Sequence, residues 1–235
     1  MKAMIFGASG GIGRALVRLL GEDERFQQIY AGARQMQSFE AKKVHPFTFE
    51  LTDEGSIARA VAEVEGPLDL VVVATGMLCE AEIAPEKSLR DLDGDKLARY
   101  FALNTIGPSL IAKHTLGKLN RTSPAVFAAI SARVGSISDN RLGGWYGYRA
   151  SKAALNMMIK TAAIEVARRN KSACVIGLHP GTVDTNLSQP FQANVPEGKL
   201  FTPDQSAKYL YDVIKTRTPD QTGLIFAWDG QEVQP

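Results

Sequence analysis

The sequence predicts an α/β fold, a doubly wound parallel sheet of about seven strands with helices on both faces. Three observations carry that prediction: strand-like and helix-like segments alternate from end to end, the segment Leu68 to Ala74 reads as a strand covered on both faces, and no repeat or low-complexity linker divides the chain. Sheets that face water on one side alternate apolar and polar residues, whereas strands covered on both faces do not. The 235 residues suit one large domain, here read as residues 1–235.

The elements follow in order. Ala3-Met4-Ile5-Phe6 reads as a first buried strand, and Ile12 to Leu20 as a helix with apolar residues at 12, 16, 19 and 20. Gln28 to Ala33 and Val44 to Leu51 are the second and third strands. Asp53 is placed to cap a helix running to about Val64. Leu68 to Ala74 is a β-branched run. A long helical region is expected from Asp93 to Leu119, kinked at Pro108. Pro124 to Ile130 is a fifth strand, Gly147 to Arg169 a long helix, and Ala173 to Leu178 a sixth strand. Pro203 opens a helix to about Lys215, and Gly223 to Trp228 closes the sheet. Right-handed crossovers place such helices on both faces, and ligands then bind beyond the carboxyl ends of the strands.

Composition narrows the function classes. The net charge is +2 with acids and bases interspersed, which argues against a nucleic-acid surface. No stretch approaches the roughly 20 apolar residues of a membrane span, and Met1-Lys2 leads straight into a strand without an export signal. A cytoplasmic location is expected, with Cys79 and Cys174 as reduced, partly buried thiols. His45, His114 and His179 show no metal-ligand spacing, so no metal is expected.

Gly7-Ala8-Ser9-Gly10-Gly11-Ile12-Gly13 joins the first strand to the first helix. Its glycines at 7, 11 and 13 allow a sharp turn and close approach to a phosphate. The following helix offers free N–H groups and the positive end of its dipole. A dinucleotide site in a Rossmann-like fold is the expectation. The second strand ends Tyr30-Ala31-Gly32-Ala33-Arg34, with no acid to meet an unmodified ribose; Arg34, helped by Arg14, would instead meet the extra phosphate of NADP(H). A solvated Arg34 is the plain alternative.

Tyr148-Arg149-Ala150-Ser151-Lys152 places a phenol and an ammonium four residues apart, on one face of a helix. The spacing is common by chance, and an exposed helix pair is the plain alternative. Joined to the glycine turn it gains weight. A nearby ammonium lowers a phenol's pKa and readies it for proton transfer in carbonyl–alcohol chemistry. Tyr146 is the competing phenol, off the lysine's face. Asn186 to Leu200, rich in Gln, Asn, Pro and Gly, reads as a lid over substrate or a long connection, a substrate loop at about 186–201.

Taken together, these motifs resemble the short-chain dehydrogenase/reductase family in its single-domain form. The run from Ser131 to Asn156 and the closing Trp228-Asp229-Gly230 are most similar to its C-factor and sniffer-type members. The resemblance implies NADP(H)-dependent exchange of hydride with a small carbonyl or alcohol. Tyr148 would be the acid/base, Lys152 would hold the nicotinamide ribose, and Asn104 would kink a helix and serve a proton relay. It also implies cofactor contacts from the glycine turn (Gly7, Ser9, Gly10, Gly11, Ile12, Gly13), from Glu50 and Leu51 near the adenine, and from Ala74-Thr75-Gly76. Pro180, Gly181, Val183 and Thr185 would line the nicotinamide. A homodimer or homotetramer through regions 93–119 and 147–169 is implied too.

Two departures stand out. Ala74 replaces the family's usual asparagine after the fourth strand, so that strand needs support from elsewhere. Ala132 replaces the usual catalytic serine; Ser131, Ser136 or a water could fill its place. The rival reading is an NAD(P)-binding signalling protein with little turnover.

Overall fold

Parallel strands buried on both faces form the centre of the molecule, as the apolar runs require. The computed structural model describes residues 1–80 and 83–235. Its main sheet contains β1 (Lys2–Phe6), β2 (Gln28–Ala33), β3 (Val44–Thr48), β4 (Leu70–Val73), β5 (Ala125–Ile130), β6 (Ala173–His179) and β9 (Ile225–Ala227), all parallel, in the order β3-β2-β1-β4-β5-β6-β9. The short strands β7 (Thr182–Val183) and β8 (Leu200–Phe201) form a second, two-stranded parallel sheet.

Alternate residues of each strand supply two separate cores. Ala3, Ile5, Val72, Ile176 and Leu178 face α1 (Gly11–Glu22) and α6 (Pro203–Lys215), where Leu16, Leu20, Leu210 and Ile214 cover them. Met4, Phe6, Val71, Val73 and Phe127 face α2 (Glu54–Ala62), α4 (Gly107–Thr115) and α5 (Tyr146–Ala167), meeting Ile57, Val61, Ile111, Leu155 and Ile159. Each such side chain contributes about 1.5–3 kcal/mol by leaving water. All four residues of β4 are buried, which explains why Leu70, Val71, Val72 and Val73 are all apolar.

Several boundaries differ from the sequence-based expectations. The third strand stops at Thr48 and the last spans only Ile225–Ala227. Asp53 stands at the N-cap of α2 without a side-chain cap bond; its carboxylate instead lies 3.7 Å from the Arg59 guanidinium. The helical region 93–119 is broken before Pro108, not at it. The helix α3 (Gly94–Phe101) runs into a π-helical turn over Ala102–Ile106, where the Gly107 N–H donates to the Ala102 carbonyl five residues back. Pro108 directly follows that turn, in the first turn of α4, and the chain stays helical through it, with Ile106 and Gly107 both in the α region. As expected, Pro203 opens α6, behind a capping box in which Thr202 and Gln205 exchange hydrogen bonds. No helix among the described residues is long and apolar enough to cross a membrane.

The β1–α1 turn depends on glycine at position 13. A Cβ there would lie 2.1 Å from the Gly7 carbonyl oxygen and 2.8 Å from its carbon, both backbone atoms. At Gly94, by contrast, a Cβ would meet nothing within 4 Å. Gly13→Ala is therefore expected to cost about 1–3 kcal/mol or more through overpacking, while Gly94→Ala should be neutral or mildly stabilising. Urea unfolding of the two variants checks this contrast, and equal midpoints would contradict it.

Candidate active site

The carboxyl ends of β1, β4, β5 and β6 lie along one edge of the sheet. The strand order reverses between β1 and β4, where a doubly wound sheet opens its ligand crevice. Gly7 leaves β1 with φ +91° and is folded against β2, since the N–H groups of Gly7 and Ala8 both donate to the Gly32 carbonyl, at 2.9 and 2.8 Å. A Cβ on Gly7 would strike the Ala74 carbonyl oxygen at 2.7 Å, so the turn and the loop after β4 touch. Gly11 faces Thr185, whose Cγ2 would stand 2.6 Å from an added Cβ. Segment 180–185 thus closes onto the glycine turn. The N-cap of α1 is Gly10, no side chain caps the helix, and its first turn contains no acid. Those amides and the dipole end suit an anion. Ser9 is exposed and Ile12 half-buried at this rim. The buried Thr75 hydroxyl, beside Gly7, has no hydrogen-bond partner among the described residues. A nucleotide phosphate and ribose would suit these groups.

Beyond β2, Arg34 is exposed, and its charge joins that of Arg99 in holding the Glu80 carboxyl below its ordinary pKa; Arg99 dominates, donating to Glu80 at 2.9 and 3.1 Å. Arg14 leans the same way, 3.3 Å from the Gln37 side-chain oxygen and 5.6 Å from the Phe39 ring centre. Glu50 is exposed and accepts from Thr52, while Leu51 is buried against Gly107.

The chemistry-bearing side chains meet at the first turns of α5. Tyr148 is 8% and Lys152 3% exposed, so the plain reading of an exposed helix pair is excluded. The Lys152 ammonium donates to the Ile130 carbonyl at 2.8 Å and lies 5.9 Å from the Tyr148 ring centre. Asn104, fully buried in the π turn, accepts from the Met77 N–H at 2.8 Å and donates to the Met77 carbonyl at 2.9 Å and the Ser151 hydroxyl at 3.1 Å. It therefore supports the loop after β4, where Ala74 replaces the usual asparagine. A Cβ on Gly76 would lie 3.5 Å from both the Asn104 oxygen and the Lys152 nitrogen, so Gly76 brings the loop after β4 against this buried cluster.

Burial, rather than charge pairing, governs both titrating groups. The Tyr148 phenol is pushed up to about 12 and the Lys152 ammonium down to about 8, each by removal from water. The expected lowering of the phenol by the ammonium is absent from the protein alone. Desolvation penalises the phenolate more than an ammonium facing the ring offsets. His179 is likewise pushed down to about 4 by burial, and its Nδ1 has no partner among the described residues.

Both candidate serines for the place of Ala132 are hydrogen-bonded to other residues in the protein alone. Ser131 donates to the Asn156 side-chain oxygen at 2.6 Å. Ser136 accepts from the Asp139 N–H at 3.1 Å and lies 3.4 Å from the Ser138 hydroxyl. Ala132 is buried in one cluster with Tyr148, Met77, Leu78 and Tyr100, and Val134 packs against it. Strand alternation explains Ser131, which points to the opposite face from its neighbour.

The segment after Pro180 is anchored at both ends. β7 and β8 pair across it, with the Asp184 N–H donating to the Phe201 carbonyl at 2.8 Å. Gly181 has φ +76°, and Val183 is buried. A 3₁₀ turn at Gln189–Asn194 brings Phe191 edge-to-face onto Trp145, centres 5.0 Å apart. Trp145 and Tyr100 in turn flank Tyr148, at 6.2 and 6.3 Å. Sequence reasoning assigned neither. Tyr100 reads as ordinary helix core, and only the preceding glycine pair marks Trp145 as unusual. Among the described residues no three His, Cys, Asp or Glu side chains converge to hold a metal.

Comparison with known proteins agrees with this geometry. Over residues 1–196 the sequence matches the family model for short chain dehydrogenase. It is 32% identical to C-signal of Myxococcus xanthus over 171 residues, covering 72% of this chain and 93% of that protein. Two solved structures share the fold: the NADPH-bound carbonyl reductase from chicken fatty liver (TM-score 0.84, 23% identity, covering 100% of this chain and 98% of that one) and the carbonyl reductase Sniffer of D. melanogaster (TM-score 0.84, 22% identity, 100% and 99%). The C-factor and sniffer-type resemblance is thereby borne out, and the chain belongs to the NAD(P)-dependent short-chain dehydrogenase/reductase family.

Proposed function

We propose that the protein is an NADP(H)-dependent oxidoreductase that interconverts a small carbonyl and its alcohol, with residues 1–235 working as one unit in the cytoplasm. The observation that carries the reading is the burial of Tyr148, Lys152 and Asn104 together at the sheet edge, joined through Gly76 to the glycine turn. The nicotinamide, when bound, supplies or accepts the hydride. Gly7 to Gly13 would hold the pyrophosphate, with Ser9 and Thr75 as hydroxyl partners. Arg34 would meet the extra phosphate of NADP, and Glu50 and Leu51 the adenine. Ala74, Gly76, Pro180, Gly181, Val183 and Thr185 would line the remainder.

In reduction Tyr148 gives its proton to the carbonyl oxygen. Its raised pKa keeps the phenol protonated, and the Lys152 ammonium stabilises the phenolate that forms. Asn104 holds the loop that frames the site and stands one hydrogen bond from Ser151. Ser131 and Ser136 take supporting positions, leaving Tyr148 as the side-chain donor to the carbonyl. A groove of about 430 Å³ between α4 and α5, bordered by the exposed Met158, supports association through these helices, to be read by sedimentation velocity.

Tyr148→Phe should lose most turnover with an aldehyde, ketone or quinone panel while NADPH fluorescence titration shows nearly unchanged binding. Arg34→Ala should do the reverse, weakening NADPH more than NADH. An active Phe variant, or unchanged cofactor preference in the Ala variant, would sink the respective assignment. For the unaltered chain, reduction should decline as pH rises through about 8, where Lys152 loses its charge.

Ala132 favours a second reading, an NAD(P)-binding signalling protein with little turnover. The missing hydroxyl would donate to the developing oxyanion, a contact whose removal typically costs about 10²–10³ in kcat. Ala132→Ser is therefore expected to raise kcat at least several-fold. NADPH binding with no turnover in either form would favour the signalling reading.

A further inference from the structure

Glu86 belongs to the loop between β4 and α3, outside every motif, yet it is 3% exposed. Its Oε2 accepts the Gly147 N–H at 3.1 Å, and its backbone carbonyl accepts the Trp145 N–H at 2.5 Å. One residue thus accepts two backbone N–H groups of the first turn of α5, immediately before Tyr148. The approach is close on every side. A Cβ on Gly147 would lie 2.5 Å from Tyr100 Cδ2 and 2.9 Å from Glu86 Oε1, and one on Gly144 would lie 3.5 Å from the Glu86 carbonyl. The Glu86 side chain thereby caps the N-terminal end of a 22-residue helix.

Its consequence is visible in the backbone. Gly143, Gly144 and Trp145 have φ of +66°, +65° and +54°. Trp145 is the only non-glycine residue with positive φ among the described residues, a conformation a bulky side chain adopts only when its surroundings impose it. That conformation sets the indole edge-on to both Tyr148 and Phe191.

We propose that Glu86 is a positioning residue: by clamping Gly147 and Trp145 it fixes the Tyr148 hydroxyl, and through the Trp145–Phe191 contact it holds segment 184–199 over the site. The carboxylate sets kcat through Tyr148, and the two aromatic rings set KM for the carbonyl. This rests on the oxidoreductase reading, and its test has an arm that needs no turnover.

Glu86→Ala should lower kcat about 10- to 100-fold, the scale on which a displaced catalytic group acts, with NADPH Kd within about threefold. Glu86→Gln, whose amide oxygen still accepts from Gly147, should remain within about threefold of the unaltered chain. Trp145→Ala and Phe191→Ala should raise KM for the carbonyl more than they lower kcat. The chain has two tryptophans, so Trp228→Phe leaves Trp145 as sole reporter. In that background Glu86→Ala should increase acrylamide quenching of the indole. Absence of turnover in the unaltered chain would remove the oxidoreductase reading, and increased quenching would still support the clamp. Unchanged quenching or unchanged kcat in Glu86→Ala, or Glu86→Gln as impaired as Glu86→Ala, would overturn it.

Discussion

Three hydrogen bonds from one buried carboxamide hold the site together. Asn104 joins the π turn to both backbone groups of Met77 and to Ser151 on α5, so one side chain ties the loop after β4, the π turn between α3 and α4, and α5 into one unit. A second bond runs parallel to it, from the Thr105 hydroxyl to the Ser151 carbonyl. Leaving such groups unpaired in the interior costs about 1–3 kcal/mol each. The π turn therefore has a structural reason: it turns Asn104 inward, where a regular helix would keep a different phase.

Around that frame the side chains are buried. Tyr148, Lys152 and Ala132 are all buried, and burial alone accounts for the direction in which the phenol and the ammonium titrate. A serine at position 132 would place a hydroxyl in the same cluster. The methyl that stands there makes the surroundings of the phenol more apolar and leaves fewer donors for developing charge on oxygen. In the proposed mechanism these would act in opposite directions: a phenol kept protonated as a proton donor, and a weaker grip on the oxyanion.

The segment between β7 and β8 behaves as a tethered strap. Its ends are paired, and its middle rests on Trp145 through Phe191, while Gln192 bonds back to Asp184 and Ser188.

The sequence by itself determined the doubly wound sheet, the glycine turn and the phenol–ammonium pair. Each depends on local periodicity or on a backbone demand that only glycine meets: β4 announces two covered faces by being wholly apolar, and Gly13 answers a contact made six residues earlier. The tertiary structure alone decided where the 93–119 region breaks, that Ser131 turns to Asn156, and that Glu86 reaches Gly147 from 61 positions away. Those outcomes follow from which side chains meet across elements once the sheet has closed. Burial, which sets the protonation of Tyr148 and Lys152, is likewise a property of the assembled layers, and a spacing of four residues carries no record of it.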